Sequence, residues 1–394
     1  MSEGIKPSRE PRDQLWFARD SLRTSIYLDS PEVQAAMAAA NANGANGGEE
    51  GPAWLQKLRS IPRQPFLFGP SPVQFLPRLT KELSPDEGVK IWAKRDDCNS
   101  GLAYGGNKIR KLEYLLPAAL SQNATHLVSI GGIQSNHTRA VTAAATACGL
   151  KAVTIQEKWV PIDPPLYSKT GNILLSRLMG GDVRTNDEGF HIGHKEAAKT
   201  ACEEVEKEGG KAYYIPAGAS DHELGGLGFV NFVVEVAEQE RQLGVFFDTL
   251  IVCSVTGSSH AGLTVGAVAE GKGRKVIGID ASGKVEATKE QVTRIARNTA
   301  ELLDPVLEIP DEAIVLDDRF HEGIYGIPGP STIEAMKLAA RTDALITDPV
   351  YEGKSMAGLV QLVREGTIKK GSNVLYVHLG GQPALNAYSS YFQE

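Results

Sequence analysis

Downstream of residue 88 the chain alternates short apolar runs with helical segments, and this alternation constrains the fold more than any other feature. The runs VKIWAKRDD, HLVSIGG, KAVTIQE, KAYYIPAG, DTLIVCSVTG, KVIGIDA and NVLYVHLGG show little alternation of polar and apolar positions. Strands of this kind are covered on both faces, as parallel strands are when helices pack on either side of the sheet. Between them lie HTRAVTAAATACGL, the polar stretch HIGHKEAAKTACEEVEKEGG, NFVVEVAEQERQLG and HAGLTVGAVAEG, each with a helical pattern. The pattern predicts an α/β architecture with open parallel sheets, whose ligands bind beyond the carboxyl ends of the strands. Upstream, FLFGPSPVQFLPRL reads as extended, proline-punctuated chain.

The chemistry-bearing residues fall at junctions between these elements. Gly105-Gly106-Asn107-Lys108 places two turn-forming glycines before a helix whose apolar face is Ile109, Leu112, Leu115 and Leu116. Lys108 therefore sits at a helix start, where the dipole works against its ammonium form and suits a Schiff-base lysine. The same residues also suit an ordinary solvated lysine in a first turn. Ile130-Gly131-Gly132-Ile133-Gln134-Ser135-Asn136-His137 sets two glycines and then hydrogen-bonding side chains ahead of a helix. Val255-Thr256-Gly257-Ser258-Ser259-His260 is a Gly/Ser/Thr loop running into a helix N-terminus, a pattern that suits a phosphate. Taken singly, each loop is equally well a tight connection or a cap. Taken together they offer one loop for a phosphate, one lysine for an aldehyde and one loop for a carboxylate or ring hydroxyl. Tyr351-Glu352 opens another helix, Tyr325 follows a charged loop, and Lys354 is a rival Schiff-base candidate that lacks a preceding glycine pair.

Composition excludes several classes. The 394 residues carry 41 Lys plus Arg against 48 Asp plus Glu, a net charge of −7, with no basic run to neutralise phosphates, so no nucleic-acid partner is expected. Cys98, Cys148, Cys202 and Cys253 are widely separated, with no metal-ligand spacing, which reads as reduced thiols in a cytoplasmic enzyme without a metal. No apolar run is long enough to span a membrane, and Met1 opens onto SEGIKPSREPRD rather than a secretory apolar segment. No strand ends in GxGxxG, which argues against a dinucleotide-dependent dehydrogenase. The first 64 residues differ in composition: AAMAAANANGANGGEEGPA reads as a linker, and DQLWFARDSLRTSIYL before it is apolar enough to dock on something.

The runs AKRDDCNSGLAYGGNKIRKLEYL, LVSIGGIQSN, IPAGASDHELGGLGFV, VCSVTGSS, ITDPVYEGKSM and VLYVHLGG resemble the 1-aminocyclopropane-1-carboxylate (ACC) deaminases and the related D-cysteine desulfhydrases. Both are pyridoxal-phosphate enzymes of the tryptophan-synthase-β-like fold, fold type II. The resemblance implies two open-sheet α/β domains with the cofactor in the cleft between them. The small domain would span 111–218, the large domain 65–110 and 219–394, and residues 1–64 would be an extension. It implies that Lys108 carries the cofactor, that Asn136 hydrogen-bonds its ring hydroxyl, and that Ser135 contacts the substrate carboxylate. The phosphate would lie on Thr256, Gly257, Ser258 and Ser259. Tyr351 would stack on the pyridine ring, Glu352 would meet the ring nitrogen, and Tyr325, His137 and Leu379 would lie near a small amino-acid substrate. A homodimer is expected from the family.

Which substrate is favoured turns on a few positions. ACC has no α-hydrogen, so a ring carbon–carbon bond must break and the electron sink must be strong. A carboxylate at Glu352 holds the ring nitrogen protonated. Desulfhydrases, which can begin by removing an α-proton, typically carry a hydroxyl residue there and another where Leu379 stands. His137, where deaminases carry Gln, and the stretch IPGPST, where they commonly read LPNEGT, point the other way. The balance favours ACC deamination to 2-oxobutanoate and ammonia, with D-cysteine desulfhydration as the alternative. A catalytically inert relative is a further reading, against which the intact Lys108, Ser135, Tyr325, Tyr351 and Glu352 argue.

Overall fold

The computed structural model describes residues 51–86, 88–162, 166–187 and 196–392. The expectations for DQLWFARD, for most of the low-complexity stretch and for the start of the HIGHKEAA helix lie outside the described residues.

The chain opens with helix α1 (Ala53–Ser60), strand β1 (Val73–Phe75), helix α2 (Pro77–Leu83), strand β2 (Lys90–Arg95) and helix α3 (Asn107–Ser121). Then follow β3 (His126–Gly132), α4 (Asn136–Ala147), β4 (Lys151–Glu157), α5 (Gly171–Leu178), β5 (Asp182–Asn186), α6 (Glu196–Lys207) and β6 (Ala212–Ile215). The remainder comprises α7 (Leu227–Leu243), β7 (Thr249–Ser254), α8 (Ser258–Glu270), β8 (Lys275–Asp280), α9 (Val285–Leu303), β9 (Val315–Asp317), α10 (Pro330–Asp343), α11 (Glu352–Arg364) and β10 (Asn373–His378).

These strands form two sheets, one ordered β1-β2-β10-β7-β8-β9 and the other β5-β4-β3-β6. Pairing is parallel throughout except at β1, an edge strand that runs antiparallel to β2 with Gln74 opposite Ala93. The prolines around it shorten that strand and start α2, since Pro77 occupies the first helical position, where a missing N–H costs nothing. The unalternating runs are buried as expected: all six residues of β7 are buried, as are all but the first of β4.

α3 follows its apolar periodicity, with Ile109, Leu112, Leu115 and Leu116 fully buried against Ala140, Val141 and Ala144 of α4 and Leu227 and Val230 of α7. Leu58 of α1 is buried in the same cluster beside Val292 and Ile295 of α9. No helix among the described residues is long and apolar enough to cross a membrane.

Candidate active site

The carboxyl ends of both sheets face one cleft, lined by side chains from either side. From the larger sheet it receives Asn107 and Lys108 after β2, Cys253, Val255, Thr256, Gly257, Ser259 and His260 around the β7–α8 turn, and Tyr325, Tyr351, Glu352, Leu379 and Gly380. From the smaller sheet come Ile130, Gly131, Gly132, Ser135, Asn136 and His137 around the β3–α4 turn, Trp159 after β4, and Ala217 and Gly218 after β6.

The glycine pair before Lys108 is required by backbone shape. Gly105 and Gly106 have φ of +57° and +100°, and a side chain on Gly106 would meet the Leu379 carbonyl at 3.1 Å. The Gly106 N–H donates to the Asp96 carbonyl and to Asn99 Oδ1, and the Asn107 N–H donates to the Leu379 carbonyl. Lys108 is the second residue of α3, half-buried and facing the cleft. Burial pushes its pKa down to about 8, against the opposing pull of Lys111, Cys253 and Glu352. One turn on, Lys111 is fully buried, and burial beside Lys108 holds it well below the ordinary lysine value. Its Nζ donates to the Gly218 carbonyl at 3.0 Å and to Ser258 Oγ at 2.7 Å.

The Thr256–Ser259 loop ends at Gly257, whose φ of +89° turns the chain into α8 and directs that helix's N-terminus toward the cleft. Thr256, Gly257 and Ser259 line the cleft, and Asn107 Nδ2 donates to Ser259 Oγ at 3.1 Å. The Ser258 side chain instead turns inward, bonded to Lys111 and 3.2 Å from Ser220 Oγ. Gly218 closes this corner with φ of +67°; a Cβ there would stand 2.3 Å from Thr256 Oγ1.

On the opposite wall, Asp348 organises the start of α11. Its carboxylate accepts from the N–H groups of Val350, Tyr351 and Glu352 at 2.8–3.1 Å, which fixes both Tyr351 and Glu352. Glu352 is fully buried. Its Oε2 accepts from Tyr376 Oη and from the Leu379 N–H, both at 3.0 Å, while Oε1 has no hydrogen-bond partner among the described residues. Burial and the nearby Asp348 raise its pKa well above the ordinary carboxyl value. His378 Nδ1 stands 3.8 Å away, but burial depresses that imidazole's pKa, so it offers little positive charge near neutral pH. The Tyr325 and Tyr351 hydroxyls are bonded to each other, with ring centroids 6.0 Å apart. Burial raises the pKa of both phenols, which stay protonated.

On the side of the smaller sheet, Ser135 caps α4: its Oγ accepts from the N–H groups of His137 and Thr138 at 3.2 Å. Gly131 makes room for it, since a Cβ there would lie 2.3 Å from Ser135 Oγ. His137 Nε2 is 2.9 Å from Ser129 Oγ, whose own proton goes to the Ile215 carbonyl, so Nε2 carries the hydrogen. Burial and the two neighbouring lysines keep this imidazole neutral.

Of the residues singled out from the sequence, Lys108, Ser135, Asn136, His137, Thr256, Gly257, Ser259, Tyr325, Tyr351, Glu352 and Leu379 line the one cleft. Ser258 supports it from behind. The rival Lys354 is elsewhere: it is buried in α11, donating to the His321 carbonyl at 2.8 Å. The sequence reading missed Lys111, Asp348 and Gly218. The IPAG run was the only sign of Gly218, and an Asp three residues before Tyr351 the only sign of the cap.

A family model described as pyridoxal-phosphate dependent enzyme matches residues 65–380. A probable 1-aminocyclopropane-1-carboxylate deaminase of Cryptococcus neoformans var. neoformans serotype D is 72% identical over 341 residues, covering 86% of this chain and 98% of that protein. The 1-aminocyclopropane-1-carboxylate deaminase of Burkholderia vietnamiensis is 55% identical over 337 residues, covering 86% of this chain and 99% of that protein. Among solved structures, the crystal structure of an ACC deaminase homologue superposes with a TM-score of 0.77 at 32% identity, covering 86% of this chain and 98% of that one. A fold of two α/β sheets meeting at a lysine-bearing cleft is that of the fold type II enzymes. The chain belongs to the pyridoxal-phosphate dependent enzyme family, and its cofactor is pyridoxal 5'-phosphate.

The cleft fits that cofactor on two independent observations. Glu352 Oε1 is a buried carboxyl oxygen with no hydrogen-bond partner among the described residues, and a protonated ring nitrogen would complement it and favour its ionised form. Lys111 is a buried amine with no carboxylate partner among the described residues, set beside a helix N-terminus, and an anionic phosphate there would favour its charged form.

Proposed function

We propose that the protein is an ACC deaminase, opening the cyclopropane ring of 1-aminocyclopropane-1-carboxylate and, with one water, giving 2-oxobutanoate and ammonia. The observation that carries this reading is the unpartnered, fully buried Oε1 of Glu352 in a cleft that also holds the depressed Lys108. The relatives named for this activity at 55–72% identity support it.

Bound pyridoxal phosphate supplies an electron sink conjugated to the substrate's amino-bearing carbon. In this reading Lys108 holds it covalently, Thr256, Gly257 and Ser259 with Lys111 hold the phosphate, and Asn136 faces the ring oxygen. Glu352 acquires from the ring nitrogen the positive partner that the protein does not give it, and so keeps the sink protonated. Tyr351 would lie against the ring. The Ser135 hydroxyl, whose oxygen already accepts two backbone N–H groups, directs its own proton at the substrate carboxylate, helped by the α4 dipole. Tyr325 and Tyr351, both neutral and bonded to each other, offer a proton to the carbon freed by ring opening. Lys108, with a pKa of about 8, exchanges protons readily at neutral to mildly alkaline pH.

The same reading takes the four-stranded sheet as the small domain, about residues 111–218, and residues 65–110 with 219–394 as the large one, in a cytoplasmic homodimer acting on a small amino acid. Measuring 2-oxobutanoate from ACC beside sulfide from D-cysteine tests the substrate. Sulfide release with no turnover of ACC would overturn the assignment.

A further inference from the structure

The loop that delivers Lys108 has an unusual backbone. Four consecutive residues, Ala103, Tyr104, Gly105 and Gly106, have φ of +41°, +71°, +57° and +100°, and two of them are not glycine. Such a loop needs an external hold, and Arg139 of α4 provides it. Arg139 is fully buried and pairs with no carboxylate among the described residues. Its guanidinium donates to the Ala103 carbonyl, to the Gly105 carbonyl through two nitrogens at 3.2 Å, and through Nε to Asn172 Oδ1 at 2.7 Å.

Asn172, the second residue of α5, joins this loop to the Ser135–Asn136 turn. Its Nδ2 donates to the Gln134 carbonyl at 3.0 Å and to Asn136 Oδ1 at 2.8 Å. Side-chain amides can be turned end for end, but here the chemistry permits one orientation. A guanidinium only donates and a backbone carbonyl only accepts, so Asn172 must present oxygen to Arg139 and NH₂ to Gln134. That NH₂ also reaches Asn136, whose facing atom must therefore be its oxygen. The remaining atom of the Asn136 amide, its NH₂, has no partner among the described residues, and Asn136 lines the cleft.

We propose that Arg139 and Asn172 are positioning residues forming a polarity relay: they fix Asn136 as a hydrogen-bond donor to the cofactor's ring oxygen and tie that donor to the Lys108 loop. The inference rests on the reading of Asn136 as the residue facing the ring oxygen. A donor there stabilises the oxygen as an anion, so its loss raises the pH at which the bound cofactor gives up its proton.

The test is a pH titration of the bound cofactor's visible absorbance in the holoenzyme, with cofactor affinity measured by adding pyridoxal phosphate to apoprotein. Asn172→Asp keeps the shape and the bond to Arg139 but presents only acceptors, so Asn136 must turn its NH₂ toward residue 172 and its oxygen toward the ring. The expected result is a midpoint raised by about one unit and cofactor affinity weakened about tenfold. Asn172→Ala, which removes the donor without adding a charge, should move the midpoint in the same direction by less. Asn136→Ala is the reference. If it shifts the midpoint while both Asn172 variants titrate like wild type, the relay is wrong and the Asn136 contact stands. If Asn136→Ala itself leaves the midpoint and the affinity unchanged, Asn136 does not face the ring oxygen and the inference falls with that reading.

Discussion

Two lysines competed in the sequence for the covalent role, and their surroundings separate them. Lys108 faces the cleft with its ammonium form disfavoured by burial, whereas Lys354 is tied to the His321 carbonyl at 2.8 Å on the far side of α11. Lys108→Ala should abolish turnover and leave no cofactor attached after borohydride reduction, as read by protein mass. Lys354→Ala should retain the attached mass and lose activity only as far as the Tyr325 loop loosens. The pKa of about 8 at Lys108 carries its own signature. Attack on the aldehyde needs the neutral amine, so the rate of cofactor attachment to apoprotein should climb with pH through about 8 and level off above it. A lysine left at its ordinary value near 10.4 would keep gaining rate well beyond that point, and such a profile would count against the burial argument.

At the scale of elements, the α11 N-terminus is where local structure and chemistry meet, because one carboxylate both starts the helix and aims Tyr351 and Glu352. Asp348→Ala should cost roughly 1–2 kcal/mol of stability as a lost cap, visible as a lower urea midpoint, and should weaken cofactor binding as well. Asp348→Asn, which keeps one acceptor oxygen, should lose less on both counts. An Asp348→Ala protein with unchanged cofactor affinity would mean that Glu352 is placed by Tyr376 and Leu379 alone. The parallel strands were legible in the sequence because burial on both faces leaves an unalternating apolar run: HLVSIGG and KAVTIQE match β3 and β4 residue for residue. β1 and α2 were not legible, since the prolines of FLFGPSPVQFLPRL mask a strand of three residues and a helix of seven. Lys108, Glu352 and the two glycine loops announced themselves through residue type at a junction. Lys111 and Arg139 did not, because a basic side chain inside a helix reads as solvated until distant segments such as Gly218 or Ala103 bury it, and Asp348 did not, because an acidic residue in a loop gives no sign of the three N–H groups that fold back onto it.

Substrate choice belongs to the whole molecule, because the cleft draws Ser135, Asn136 and His137 from one sheet and Glu352 and Leu379 from the other. The two sides carry different weights. His137, the residue that leaned toward D-cysteine, is neutral, with Nε2 engaged by Ser129. Glu352 has an oxygen left over, with no hydrogen-bond partner among the described residues until a protonated ring nitrogen provides one. Replacing Glu352 with Ser and Leu379 with Thr removes that carboxylate and adds a hydroxyl beside it, so the ring nitrogen loses its counter-charge. Ring opening of ACC, which breaks a carbon–carbon bond with no α-proton to remove, asks most of the electron sink and should fall by orders of magnitude. Elimination from D-cysteine asks less, since an α-proton can be taken by Lys108 and a thiol is a competent leaving group. The double variant should therefore lose 2-oxobutanoate production from ACC while keeping or gaining sulfide release. A change of this kind is a shift in which transition state is stabilised, so kcat/KM for ACC should fall while that for D-cysteine holds or rises, at constant cofactor content. A parallel loss of both activities at full cofactor occupancy would show that Glu352 serves the cofactor's general reactivity and does not select between substrates.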